Sequence, residues 1–108
     1  MDFNVLKDEL KIFAFDALRK DENVYFEAVI LKSELIKMIA VLEKFFGPPV
    51  WKSPKEKLTA EMNESIREFG GIVAGQTLYF LSDGKSKIFA MLWPWQDHEH
   101  ITLKTGQK

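Results

Sequence analysis

Cysteine is absent from this chain of 108 residues, which excludes disulfides, Cys-ligated zinc, iron–sulfur clusters and thiol nucleophiles. Long apolar runs are missing as well. The longest, such as Met38-Ile-Ala-Val-Leu42, fall far short of the roughly 20 residues that a membrane-spanning helix needs. The opening stretch from Met1 to Glu9 carries acids where a signal peptide wants bases, and it has no apolar central region. No membrane partner and a cytoplasmic location are therefore expected. Charge of one sign is also lacking: 15 basic residues face 16 acidic ones, for a formal net charge of -1. They are scattered along the chain, whereas phosphate binding normally needs clustered Lys and Arg, so no nucleic-acid partner is expected.

What is present is the composition of a globular protein, 46% hydrophobic and 29% charged, in a length suited to one core. The expectation is a single domain over 1–108, with a polar tail at 105–108. From Asn4 to Arg19, Leu6, Leu10, Phe13, Ala14, Ala17 and Leu18 recur at helical spacing, although Phe13-Ala-Phe15 could equally begin a strand. Residues 24–30 are β-branched and aromatic and read as a strand, with the first turns of the next helix as the competing reading. Ser33 suits the N-cap of a helix that stops at Gly47-Pro48-Pro49. Ser53-Pro54-Lys55-Glu56 has the form of a capping box with proline at the first helical position, and predicts a helix from Pro54 to Phe69.

After Gly70-Gly71 the period changes to that of strands. Thr77 to Leu81 and Ile88 to Trp93 are joined through Asp83-Gly84, which favours a tight hairpin, and Ile101 to Leu103 reads as a last strand. The expected fold is α+β: three helices packed on a mainly antiparallel sheet of three or four strands, ending in a β-meander. Ile88, Ala90 and Leu92 should point one way, and Phe89, Met91, Trp93 and Trp95 the other. Both faces of the sheet then want cover.

Chemistry is thinner. Asp97-His98-Glu99-His100 holds both histidines; in an extended chain they share a face and could grip one divalent ion with carboxylates from elsewhere. The alternative is a solvated turn. Trp93-Pro94-Trp95 could stack on a ring-bearing ligand or anchor a partner, or could roof the core. The glycines from Gly70 to Gly75 follow a helix and precede a strand, the wrong polarity for a phosphate loop. Glu61, Glu64 and Glu68 line an exposed helix face and are read as solvated, and no serine sits in a Gly-x-Ser-x-Gly context.

The leading expectation is a small non-catalytic interaction module acting through its aromatic sheet face, with Phe89, Met91, Trp93, Trp95 and Tyr79 at the interface. Its expected partners are a second copy in a homodimer or another protein, and it needs no cofactor. The first alternative is a divalent-metal-binding protein or small metalloenzyme using His98 and His100. The second is a small-molecule sensor binding an aromatic ligand near Trp93 and Trp95. Element order alone decides among none of these.

Overall fold

The computed structural model describes residues 2–108. These residues form three α-helices and one antiparallel sheet of five strands, so the fold is α+β with more strands than the three or four expected. The strands are β1 (Ala17–Asp21), β2 (Tyr25–Leu31), β3 (Thr77–Ser82), β4 (Lys87–Pro94) and β5 (His100–Gln107), in the order β1-β2-β5-β4-β3. The helices are α1 (Phe3–Leu10), α2 (Leu35–Phe46) and α3 (Ala60–Ile66).

An irregular segment at 11–16 and then β1 replace the second half of the expected first helix. That helix stops where the Lys11 N–H bonds the Lys7 carbonyl at 3.0 Å. Phe13 and Phe15 then pack against the core, Phe15 with its ring centroid 5.5 Å from that of Phe26. The Asp16 N–H donates to the Val29 carbonyl at 2.9 Å, and the ladder to β2 begins. These long-range contacts override the helical spacing of Ala17 and Leu18. The turn from β1 to β2 is tied to α1 by Lys7, whose ammonium donates to the Glu22 carbonyl at 2.7 Å and pairs with Asp21 at 2.7 Å. That bond holds the Asp21 carboxyl below its ordinary range.

The expected polar tail is also strand. Thr105, Gly106 and Gln107 continue β5, which lies between β2 and β4 at the centre of the sheet. Thr105 is buried and its hydroxyl donates to the Phe89 carbonyl at 2.7 Å. A Cβ added to Gly106 would stand 3.0 Å from the Phe89 ring and 3.0 Å from the Val24 carbonyl, so its smallness is a packing requirement.

The helix expected from Pro54 is much shorter. Glu56 does fold back, accepting from the Lys52 N–H at 3.1 Å, but the Trp51 indole N–H takes the Glu56 carbonyl at 3.1 Å. That carbonyl is the one an α-helix would offer to Ala60. The helix starts instead at Ala60, capped by Thr59, whose hydroxyl accepts from Met62 at 3.1 Å. Ser33 likewise is not the cap of α2: a 3-10 turn at Lys32–Glu34 precedes it. The end at Gly47, with φ of 79°, is as expected. The β3–β4 connection is a four-residue turn, Asp83 to Ser86, closed by the Asp83 carboxylate, which accepts from Lys85 and Ser86 at 2.9 and 2.7 Å.

Side-chain alternation sorts the strands into two faces, as the sequence predicts. On the first face Phe26, Ala28, Ile30, Ile88, Ala90, Leu92, Ile101 and Leu103 pack with Phe3, Leu6 and Leu10 of α1 and Met38, Leu42 and Phe46 of α2. On the second, Leu78, Phe80, Phe89 and Met91 pack with Trp51 and with Ile66 of α3. The chain thus covers both faces itself, but the second cover, complete over β3 and β4, stops short of Glu27 on β2 and Lys104 on β5. Among the described residues, no helix is long and apolar enough to cross a membrane.

Candidate functional site

Where the second cover ends, the sheet face is open. β5 and β2 carry Lys104 and Glu27 side by side there, and β1 carries Lys20 opposite Glu27, so the three form one row across neighbouring strands. The residues that follow α3 make the facing wall. Arg67–Phe69 is a 3-10 turn ended by Gly70 in the left-handed conformation, φ 105°. A Cβ at Gly70 would lie 2.4 Å from the Trp93 ring, so the close approach of this wall to β4 depends on glycine. Between row and wall lies a groove of about 710 Å³, in the size range of small-molecule sites.

The groove is aromatic and charged together. Tyr25 and Phe69 stack with centroids 4.8 Å apart and planes 13° apart, and Phe69 continues onto Phe89 at 4.9 Å. The Lys104 ammonium sits 3.5 Å from the centroid of the Trp93 ring and donates to the Phe69 carbonyl at 3.0 Å. Burial pushes its pKa below the usual lysine value, with Arg19 nearby adding to the effect and Glu27 opposing it. The Trp93 indole nitrogen is itself buried with no acceptor among the described residues. Glu27 is well engaged: Oε1 accepts from the Tyr25 hydroxyl at 2.6 Å, and Oε2 lies 3.5 Å from Arg19. Burial, and then the bond to Glu27, drive the Tyr25 phenol far above its ordinary pKa, so it stays a donor at any physiological pH.

The sequence-predicted interface residues part company. Phe89 and Met91 are fully buried beneath Trp51 and α3. Tyr79 lies on the opposite, first face, because it pairs with Ala90 in the β3–β4 ladder. There its hydroxyl donates to Glu43 of α2 at 3.3 Å, and burial pushes its pKa up to about 12. Trp93 lines the groove. Trp95 is 37% exposed and folds over the far end of β5, its indole N–H donating to the Thr102 hydroxyl at 2.8 Å, with Arg19 over its ring.

His98 and His100 are separated by the turn that joins β4 to β5. His98 occupies that turn with φ of 61°, while His100 opens β5. The His100 ring lies against Trp95, centroids 4.8 Å apart, with Nδ1 2.5 Å from Asp97 and Nε2 3.3 Å from Asp16. The Asp97 bond, above all, raises the His100 pKa; Asp97, accepting from the Glu99 N–H and then from His100, falls to about 2. Both histidines line a small cleft of about 200 Å³. Among the described residues no group of three or more His, Asp or Glu side chains is arranged to hold a metal.

Sequence reasoning missed Tyr25, Glu27, Phe69 and Lys104 as site residues. Lys104 carries a signal in hindsight, a single cation in a strand otherwise flanked by Leu103 and Thr105, but only the register places it beside Glu27. Known protein families, curated proteins and solved structures were all compared with the chain, and none of them matches it.

Proposed function

We propose that this protein is a non-catalytic binding module that takes a small molecule into the groove between the Lys20–Glu27–Lys104 row and the Phe69–Gly70 wall. The observation that carries the reading is a half-covered sheet face. An antiparallel sheet can leave one face to water when that face is polar, yet here the groove where the cover stops combines Trp93, Tyr25 and Phe69 with polar groups that converge from three strands and a turn. That mixture is typical of ligand sites, where apolar walls supply affinity and a few fixed polar groups supply orientation. Tyr25 is held protonated and Glu27 is spent on Tyr25 and Arg19, so neither is free to serve as a general base. The test is native mass spectrometry after incubation with a library of ring-bearing small molecules. A one-to-one adduct, weakened by Trp93→Phe, is expected; retention of no compound at all contradicts the reading.

Self-association is supported as a second reading by a different surface. Ile12, 79% exposed, lines a cleft with Phe13, Ala40 and Val41 and with the ion-paired Glu34 and Lys37, and Ile36, 84% exposed, lies one turn before Ala40 on α2. A homodimer joined there leaves the groove free. Sedimentation of wild type against Ile36→Lys tests it: a dimer abolished by the substitution supports the interface, and a monomer at high concentration removes it.

A further inference from the structure

We infer that the ligand of this groove is an organic anion with a flat apolar body, an aromatic carboxylate in chemical class, whose negative group is received by Lys104 and Lys20. The inference rests on the groove being a binding site and adds the chemistry of what binds.

The charges decide the sign. Glu27 is met by both a hydroxyl and a guanidinium, and Glu68 on the wall is paired with Lys108. Glu22, at the rim, is the one carboxylate lining the groove with no cationic partner within 4 Å among the described residues. The two lysines of the row are in the opposite state. Among the described residues neither Lys20 nor Lys104 has a carboxylate within 4 Å, and Lys104 commits one hydrogen bond, to the Phe69 carbonyl, out of the three its ammonium can donate. A partly buried cation with unspent donors is costly until an anion arrives, because desolvation disfavours the charged form that a partner would favour. The cation–π contact with Trp93 holds the ammonium in place without neutralising it.

The walls decide the shape. Tyr25 and Phe69 are stacked on each other, and Trp93 closes the β4 side. Lys20 and Lys108 lie over the Tyr25 and Phe69 rings, each 5.8 Å from the centroid. A planar ring that takes the ring faces now covered by the exposed Lys20 and Lys108 side chains would draw those ammonium groups, with Lys104, onto a carboxylate one or two bonds away. A free cation is disfavoured by the same arrangement, since Lys104 already occupies the Trp93 face where it would bind.

Three compounds that share a ring and differ in charge test this: indole-3-acetate, indole-3-acetamide and tryptamine, titrated into the 15N-labelled full chain. The expected result is shifts of the Tyr25, Phe69 and Lys104 signals, with the acetate bound at least about tenfold more tightly than the other two, the equivalent of about 1.4 kcal/mol. Lys104→Met should erase that preference and Lys104→Arg should keep it; should Lys104→Met fail to fold, Lys20→Met, on the exposed edge strand, should narrow it. Equal or tighter binding of the amide or the amine in the groove overturns the anion class while leaving the groove a binding site. Failure of all three to shift these signals overturns the proposal, and retention of some other compound by the library would show that the groove reading outlives it.

Discussion

The two faces of one sheet are finished in different ways. The first is sealed: α1 and α2 lie across it, and Leu6, Leu10, Ala28, Ile30, Met38, Leu42, Ile88, Ala90 and Leu103 have no accessible surface. The second is sealed over β3 and β4, by Trp51 and α3, and Tyr25, Val29 and Thr102 are buried on β2 and β5, but between them the half-buried pair Glu27 and Lys104 is left at a groove. The difference shows that an aromatic sheet face does not by itself mark an interface. Phe89 and Met91 are as apolar as any residue a partner would bury, and the chain buries them itself. The informative residues are those placed where the cover stops, because there apolar walls and unspent charge coexist.

Substitutions separate the faces by size of effect. Leu42→Ala, in the sealed face, should cost about 3 kcal/mol in urea unfolding, from lost burial and the cavity left behind, while ligand affinity of the folded protein stays unchanged. A cost below about 1 kcal/mol would mean that the first face is loosely packed. Gly70→Ala strikes the boundary. Its positive φ and the 2.4 Å approach of the new Cβ to Trp93 should cost about 2 kcal/mol and also lose groove binding, an effect on two readouts that Leu42→Ala lacks. The tryptophans give a finer contrast. Trp51→Phe leaves the Glu56 carbonyl without its donor, whereas Trp93→Phe removes a buried N–H that has no acceptor. Trp51→Phe should therefore be the more destabilising of the two by about 1 kcal/mol, and the reverse order would show that the Trp93 N–H finds a partner in solution.

The smallest effect belongs to the edge of both faces, the Asp97–His100–Asp16 clamp beside Trp95. The His100 pKa is raised above 6.5 by Asp97, Asp16 and Glu99, so its contribution is complete below about pH 6.5 and is lost as pH rises through the folded value. Asp97 is lowered from 3.8 to about 2, so its contribution is complete above about pH 3.8 and is lost as pH falls towards 2. Between those limits the clamp is at full strength. In urea midpoints measured across pH, His100→Gln should flatten the slope above pH 6.5 and leave groove binding alone; an unchanged slope would show that the imidazole is not paired in solution.

The period of side chains revealed the β4 alternation and hence the existence of two faces, because alternation is a local property of an extended chain. The end of α2 was legible for the same reason, since Gly47 and Pro48 act on their own neighbours. What escaped was decided at a distance. Ala17 and Leu18 have helical spacing and become strand because β2 offers a ladder. The Ser53 to Glu56 capping signal is real at the level of single bonds, and the Trp51 indole diverts it by taking one carbonyl. Thr105 to Gln107 look like a tail until the Phe89 ring and the Phe89 and Val24 carbonyls are seen to require a small residue and a hydroxyl there. The groove was invisible because its row, Lys20, Glu27 and Lys104, is drawn from three strands far apart in sequence and joined only by register.

Three indole N–H signals report on the two halves of the second face and its end: Trp51 under the cover, Trp93 in the groove, and Trp95 beside His100. The most direct measurement follows all three in the 15N-labelled chain during titration with the tightest-binding compound of the ring-bearing library. The account predicts that Trp93 moves with saturable dependence on the compound while Trp51 and Trp95 stay in place. Movement of Trp51 or Trp95 with Trp93 unmoved would contradict it and put the binding surface elsewhere.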